Sequence, residues 1–273
     1  MLARSMHYSR SESAYFRMLY IHLLVTTGAV ETALVQLIQY IDKDPYNYRW
    51  WGALHVLAMH AATGDIASAT LRNARLKHPD IVWGYLYEAD CMLRNSTYTD
   101  AHGLYEQGYI MTNDPVIRAE ICFMQALCGY ECHNYVLVSQ AIERGLRTKV
   151  VHAPLYNIAA YYYAHIGRVE QAHQLISICC SLEPHNYHYQ DTALFITYKK
   201  GDIEKASIAL TDLHSAYLYD ATITLHVAKV LGKKNNNLQI RQLLAQAETH
   251  AYSEYQKRRI KAVLEAERKV HEK

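Results

Sequence analysis

Apolar side chains recur at helical spacing along the chain, and single small or turn-forming residues interrupt them at regular intervals. The clearest unit runs from residue 154 to 184. Tyr156, Ala159, Ala160 and Tyr163 fall on one face of a first helix. Gly167 breaks the pattern, Ala172, Ile176 and Cys179 resume it on a second helix, and Pro184 ends the unit. Each residue type suits its place. Alanine at 160 and 172 lets paired helices cross closely, because bulkier side chains would hold them apart. Glycine at 167 can take positive φ at a helix C-terminus. Tyr156, Tyr163 and Ile176 fill the space between the helices. The pattern predicts an antiparallel helical hairpin.

The hairpin recurs. "GAVETALVQL" at Gly28, "GDIASATLRN" at Gly64, "GRVEQAHQLI" at Gly167 and "GDIEKASIAL" at Gly201 share one spacing, with alanine five positions after the glycine at Ala33, Ala69, Ala172 and Ala206. With Ala101, Val138 and Ile240 from weaker copies, the series advances in steps of 32 to 37 residues. Self-similarity at this period signals a helical solenoid. In the weaker copies Ser96, His133 and Asn235 stand where the turn glycine would be. Pro45, Pro79, Pro115 and Pro184 each follow a predicted second helix, and Pro154 opens a first helix. No proline therefore interrupts a predicted helix.

These features resemble the tetratricopeptide repeat family, in about seven degenerate copies. The array is expected over residues 14–252, with a mobile tail at 1–13 and a capping helix at 253–273. Ser253 would cap that last helix, and Tyr255, Ile260, Val263, Leu264 and Val270 would form its apolar stripe. Some copies depart from the family pattern: Arg17, Gln190 and Thr224 replace the tyrosine of position 156, and Ile21, Leu57 and Leu194 replace the alanine of position 160. The resemblance implies an all-α, right-handed superhelical solenoid whose inner groove is lined by the first helix of each repeat. Transferred by position, that groove holds Trp83, Leu86, Asp90 and Arg94. From the next copies it takes Phe123 and Tyr130, then Asn157, Tyr161 and His165, then His188, Asp191, Phe195 and Tyr198. Some of these aromatics are expected to pack between neighbouring repeats instead. The family variant that clamps a peptide's terminal carboxylate with lysines is not expected, since Met18 and His22 occupy early groove positions.

Composition sharpens this reading in three ways. Tyrosine at 24 residues against three phenylalanines suits half-exposed faces, because the ring buries area while its hydroxyl stays polar. A formal charge of +2 is nearly balanced and argues against a protein built mainly to hold nucleic acid or an anionic membrane. The groove itself is mixed in sign, with Asp90, Glu120, Glu131 and Asp191 against Arg94, Lys199, Lys229 and Lys233. Six cysteines match neither a CxxC pair nor a disulfide framework, which points to a reducing, cytoplasmic setting. No run is apolar enough to span a bilayer, and the polar start does not read as a signal peptide.

No phosphate loop, dinucleotide fingerprint, nucleophile elbow or zinc-protease motif occurs. Cys128, Cys132 and His133 lie close in sequence without an evident fourth ligand, so neither a metal nor a cofactor is expected. The expected function is a non-enzymatic adaptor that holds a peptide or helix of another protein. By family analogy it would chaperone or assemble a larger machine, for example a bacterial secretion or pilus complex. The alternative is a helical-repeat RNA-binding protein, similar to the pentatricopeptide proteins that read single bases.

Overall fold

A computed structural model describes residues 2–60, 63–206, 221–232, 237–250, 257, 260 and 261. Among them every regular element is an α-helix. The chain divides into two compact units, residues 1–113 and 114–273. The first holds α1 (Leu2–Thr26), α2 (Val30–Lys43), α3 (Tyr48–Met59), α4 (Gly64–Lys77), α5 (Val82–Arg94) and α6 (Tyr98–Met111). The second holds α7 (Pro115–Glu131), α8 (Tyr135–Arg147), α9 (Ala153–His165), α10 (Val169–Leu182), α11 (Tyr187–Lys199), a helical stretch at 203–206, α12 (Ala221–Gly232) and α13 (Asn237–His250). Consecutive helices pair as hairpins, and each hairpin stacks on the next within its unit. No described helix is long and apolar enough to cross a membrane.

One turn closes five of the hairpins. Gly28, Ser96, His133, Gly167 and Gly201 take φ of +83°, +60°, +55°, +82° and +86°. In each, the next residue's N–H reaches the carbonyl five positions back: Ala29 to Leu24, Thr97 to Met92, Asn134 to Gly129, Arg168 to Tyr163 and Asp202 to Thr197, at 2.8–3.3 Å. That bond satisfies a carbonyl the helix end would leave open. Ser96 and His133 thus do the glycine's work, as their place in the repeat predicts.

Five residues after each positive-φ position sits a small or β-branched residue with no exposure: Ala33, Ala101, Val138, Ala172 and Ala206. The second hairpin corrects the sequence reading. Ala69 is exposed, and Ala67 fills the buried place. Gly64 is not the turn residue there but the first residue of α4. A Cβ on it would stand 3.0 Å from the Ala58 carbonyl and 3.2 Å from the Arg94 guanidinium, so this glycine makes room for a close approach.

The prolines fix the crossing from one hairpin to the next. Trp51 Nε1, Tyr85 hydroxyl and Gln190 Nε2 donate to the carbonyls of Pro45, Pro79 and Pro184, each six residues earlier, at 2.8–3.0 Å. Asn47, Asp114, Asn134 and Asn186 cap the helices that follow them by accepting backbone N–H bonds. At the N-terminal end α1 begins at Leu2, so residues 2–13 belong to the first helix. The expected capping helix at 253–273 lies outside the described residues apart from 257, 260 and 261, which are helical.

Candidate functional site

In the first unit the first helices α3 and α5 lie side by side and carry a ladder of rings. Tyr48 and Trp83 stand 5.9 Å apart between centroids, Trp83 and Tyr87 6.3 Å, and Tyr87 stacks on His55 at 4.6 Å. Tyr48 is exposed, and Trp83, Tyr87 and His55 are half-buried, so the ladder has an open side. His55 Nε2 sits 3.3 Å from an Asp90 carboxylate oxygen. Burial nonetheless holds the His55 pKa below the usual histidine range, and burial followed by the Asp90 charge pushes Tyr87 up. Asp90 also accepts the Tyr105 hydroxyl. Arg94 crosses over Gly64 and donates to the Ala58 carbonyl at 2.9 Å, which ties two hairpins together. Leu86 is buried.

In the second unit the first helices α7, α9, α11 and α12 bring their rings to one place. Tyr161 has its centroid 6.0 Å from Tyr130, 5.1 Å from Phe195, 4.9 Å from His165 and 5.6 Å from His226. Phe195 stacks on His226 at 4.6 Å and has the ammonium groups of Lys199 and Lys229 at 5.5 and 5.9 Å from its centroid. His226 Nδ1 lies 2.7 Å from Asp191 Oδ2, and a carboxylate acceptor fixes the proton on that nitrogen. Nε2 is then the acceptor nitrogen and lies 3.5 Å from the Tyr161 hydroxyl, which is 3.2 Å from His165 Nε2.

Carboxylate, imidazole and hydroxyl in this order are the parts of a nucleophile relay. Its inner members are enclosed: His226 and Asp191 are 1% and 4% exposed, and Phe195 stacks on the imidazole, while Tyr161 is half-buried. The constellation joins α9, α11 and α12. Burial pushes Cys179 up to about 12 and raises Cys91 and Cys180, so these sulfurs keep their protons at neutral pH.

Of the residues expected in a groove, the structure gathers Trp83 with Asp90, and Tyr130, Tyr161, His165, Asp191 and Phe195 in the second unit. Four of them lie deep. Leu86, Tyr130, Asp191 and Phe195 are buried. Asn157 is half-buried, with Oδ1 enclosed and unbonded. Phe123 is half-buried beside His152, Tyr198 is half-buried, and His188 is exposed against Tyr187. Sequence reasoning missed Tyr48, His55, Tyr87 and His226. For His226 a signal existed, since it lies 35 residues after Asp191.

No protein-family model matches the sequence, and no curated protein matches it. Solved structures do. A tetratricopeptide repeat protein from Parabacteroides merdae superposes with a TM-score of 0.63 at 14% identity, over 92% of this chain and 98% of that one. The Cut9–Hcn1 hetero-tetramer of the APC/C gives 0.63 at 13% identity over 90% of this chain, which spans only 48% of the matched chain. Yeast Tom70 gives 0.51 at 9% identity over 89% of this chain and 59% of its own. Together with the repeating turn and the buried small residue that follows it, these likenesses make the chain an all-α solenoid of the tetratricopeptide repeat type.

Proposed function

We propose that the chain is a non-enzymatic binding scaffold that holds a peptide or helical segment of a partner protein against the first helices of its hairpins. The observation that carries this is the half-exposed ladder Tyr48–Trp83–Tyr87–His55, whose rings stack on one another yet keep one side open. Rings already held in place lose little freedom on binding and offer large apolar area, the character of interface anchors. Asp90, Arg94 and Lys199 mix the signs of charge around the two ring clusters, which suits a polypeptide with both kinds of side chain better than a polyanion. Such a scaffold serves as an adaptor in the assembly of a larger complex.

The test is selection of peptide ligands from a displayed random library against the full chain, followed by affinities for variants. Tyr48→Ala or Trp83→Ala should weaken the selected peptides by about thirty-fold, the loss of a hot-spot anchor. Val136→Ala, an exposed change on α8, should leave affinity unchanged. Equal binding by all three variants would refute the assignment of this face.

A further inference from the structure

Among its described side chains, helix α1 has two apolar faces, and one of them packs on the first unit's core. Ala14 and Ile21 are buried, with Met18, Leu24 and Val25 packed around them against the first unit's core. On the opposite side Tyr15, Phe16, Leu19, Tyr20 and Leu23 are 44–66% exposed. At 100° per residue, Tyr15, Leu19 and Leu23 form one line along the helix, and Phe16 and Tyr20 form the line beside it. A helix that is apolar all round is normally covered on all sides.

We propose that this stripe is a dimer interface in which α1 packs antiparallel on α1 of a second copy of the chain, about a twofold axis near Leu19. Three features favour a second copy over an unrelated partner. First, the line Tyr15–Leu19–Leu23 is self-complementary about its midpoint: a ring lies one turn before Leu19 and a leucine one turn after it. Antiparallel pairing then sets Tyr15 over Leu23 of the second copy, as an isologous contact requires. Second, no charge lies within the stripe, so it meets itself without like-charge repulsion. The nearest cation, Arg17, is turned toward α2, with its guanidinium 5.1 Å from the Tyr40 ring centroid. Third, the area suffices. Each of the five side chains leaves on the order of 100 Å² uncovered. Two stripes therefore remove about 1,000 Å² before flanking residues are counted, which is the threshold for a specific interface.

The experiment is sedimentation velocity of the full chain over a concentration series, with the variant Leu19→Glu/Leu23→Glu run beside it. Both positions are solvent-facing, so the far-UV circular dichroism of the variant should match the parent. The parent should sediment as a concentration-dependent dimer and the variant as a monomer. As an independent geometric check, Leu19→Cys should form a disulfide-linked dimer on mild oxidation, because the twofold axis brings this position against itself. Val35→Cys, exposed on α2, should give no more cross-link than the parent. A parent that stays monomeric throughout, a dimer that survives the double substitution, or equal cross-linking at 19 and 35 would each overturn the proposal.

Discussion

Truncating Phe195 tests whether the second unit's ring cluster is packing or surface. Phe195 is 2% exposed and touches Tyr161, His165 and His226, with ring centroids 4.6–5.3 Å away. Phe195→Ala removes this buried ring and leaves a cavity among α9, α11 and α12, where relaxation is limited by the Asp191–His226 bond. The expected cost is about 3–5 kcal/mol. The unit spans residues 114–273, and for a domain of that size each kcal/mol lowers the melting temperature by roughly 2–4 °C. The predicted fall is therefore about 6–20 °C. Phe195→Leu, which keeps most of the volume, should lose about 1–2 kcal/mol. Tyr161→Phe removes only a hydroxyl at 3.2 and 3.5 Å from its partners and should cost about 1 kcal/mol or less. Far-UV circular dichroism is the suitable probe. All three tryptophans, Trp50, Trp51 and Trp83, lie in residues 1–113, so their emission does not report directly on this unit. A shift below about 3 °C for Phe195→Ala would refute the reasoning and put the ring at the surface.

Gly145→Ala should destabilise by about 1–3 kcal/mol in urea unfolding, although alanine is the better helix former. The new Cβ would lie 2.5 Å from Leu155 Cδ2 and 2.9 Å from Cys122 Cβ, and overpacking outweighs the propensity gain of about 1 kcal/mol. Glu88→Ala should cost about 3 kcal/mol, because it strips the buried carboxylate from Arg75, whose side chain is only 13% exposed. Glu88→Gln should recover part of that loss. For His55, burial lowers the folded-state pKa below the unfolded one. Its contribution to stability is thus fully present above the ordinary histidine range and is lost as pH falls through the folded value. Imidazole proton shifts should titrate below those of a denatured control, and His55→Gln should flatten the loss of urea stability between pH 7 and 5.

The repeat was legible because its turn is local. A residue with positive φ, followed five positions later by a small buried one, needs only near neighbours in sequence, and Ser96 and His133 could be placed by period even without glycine. The misplacement of Ala69 shows the limit of that signal. Gly28 is glycine for its backbone angle, whereas Gly64 is glycine because Arg94, thirty residues away, passes over it to the Ala58 carbonyl. The letter is the same and the cause differs, so the spacing Gly64–Ala69 imitated the turn-to-alanine interval although the buried alanine is Ala67.

Direction along a helix was also legible, but depth was not. Tyr161, Phe195 and Lys229 occupy one angular position at successive steps of 34 residues, yet Tyr161 and Lys229 are half-buried while Phe195 is buried. Spacing sets the azimuth of a side chain. Its depth depends on what the next hairpin lays over it, and here that is His226 and Lys229 from α12. Residues of one stripe therefore divide between packing and presentation according to their neighbours. A partner of the second unit would meet Tyr161, His165, Tyr198 and Lys199 at the rim of the cluster, while Phe195, Asp191 and His226 hold that rim in place from beneath.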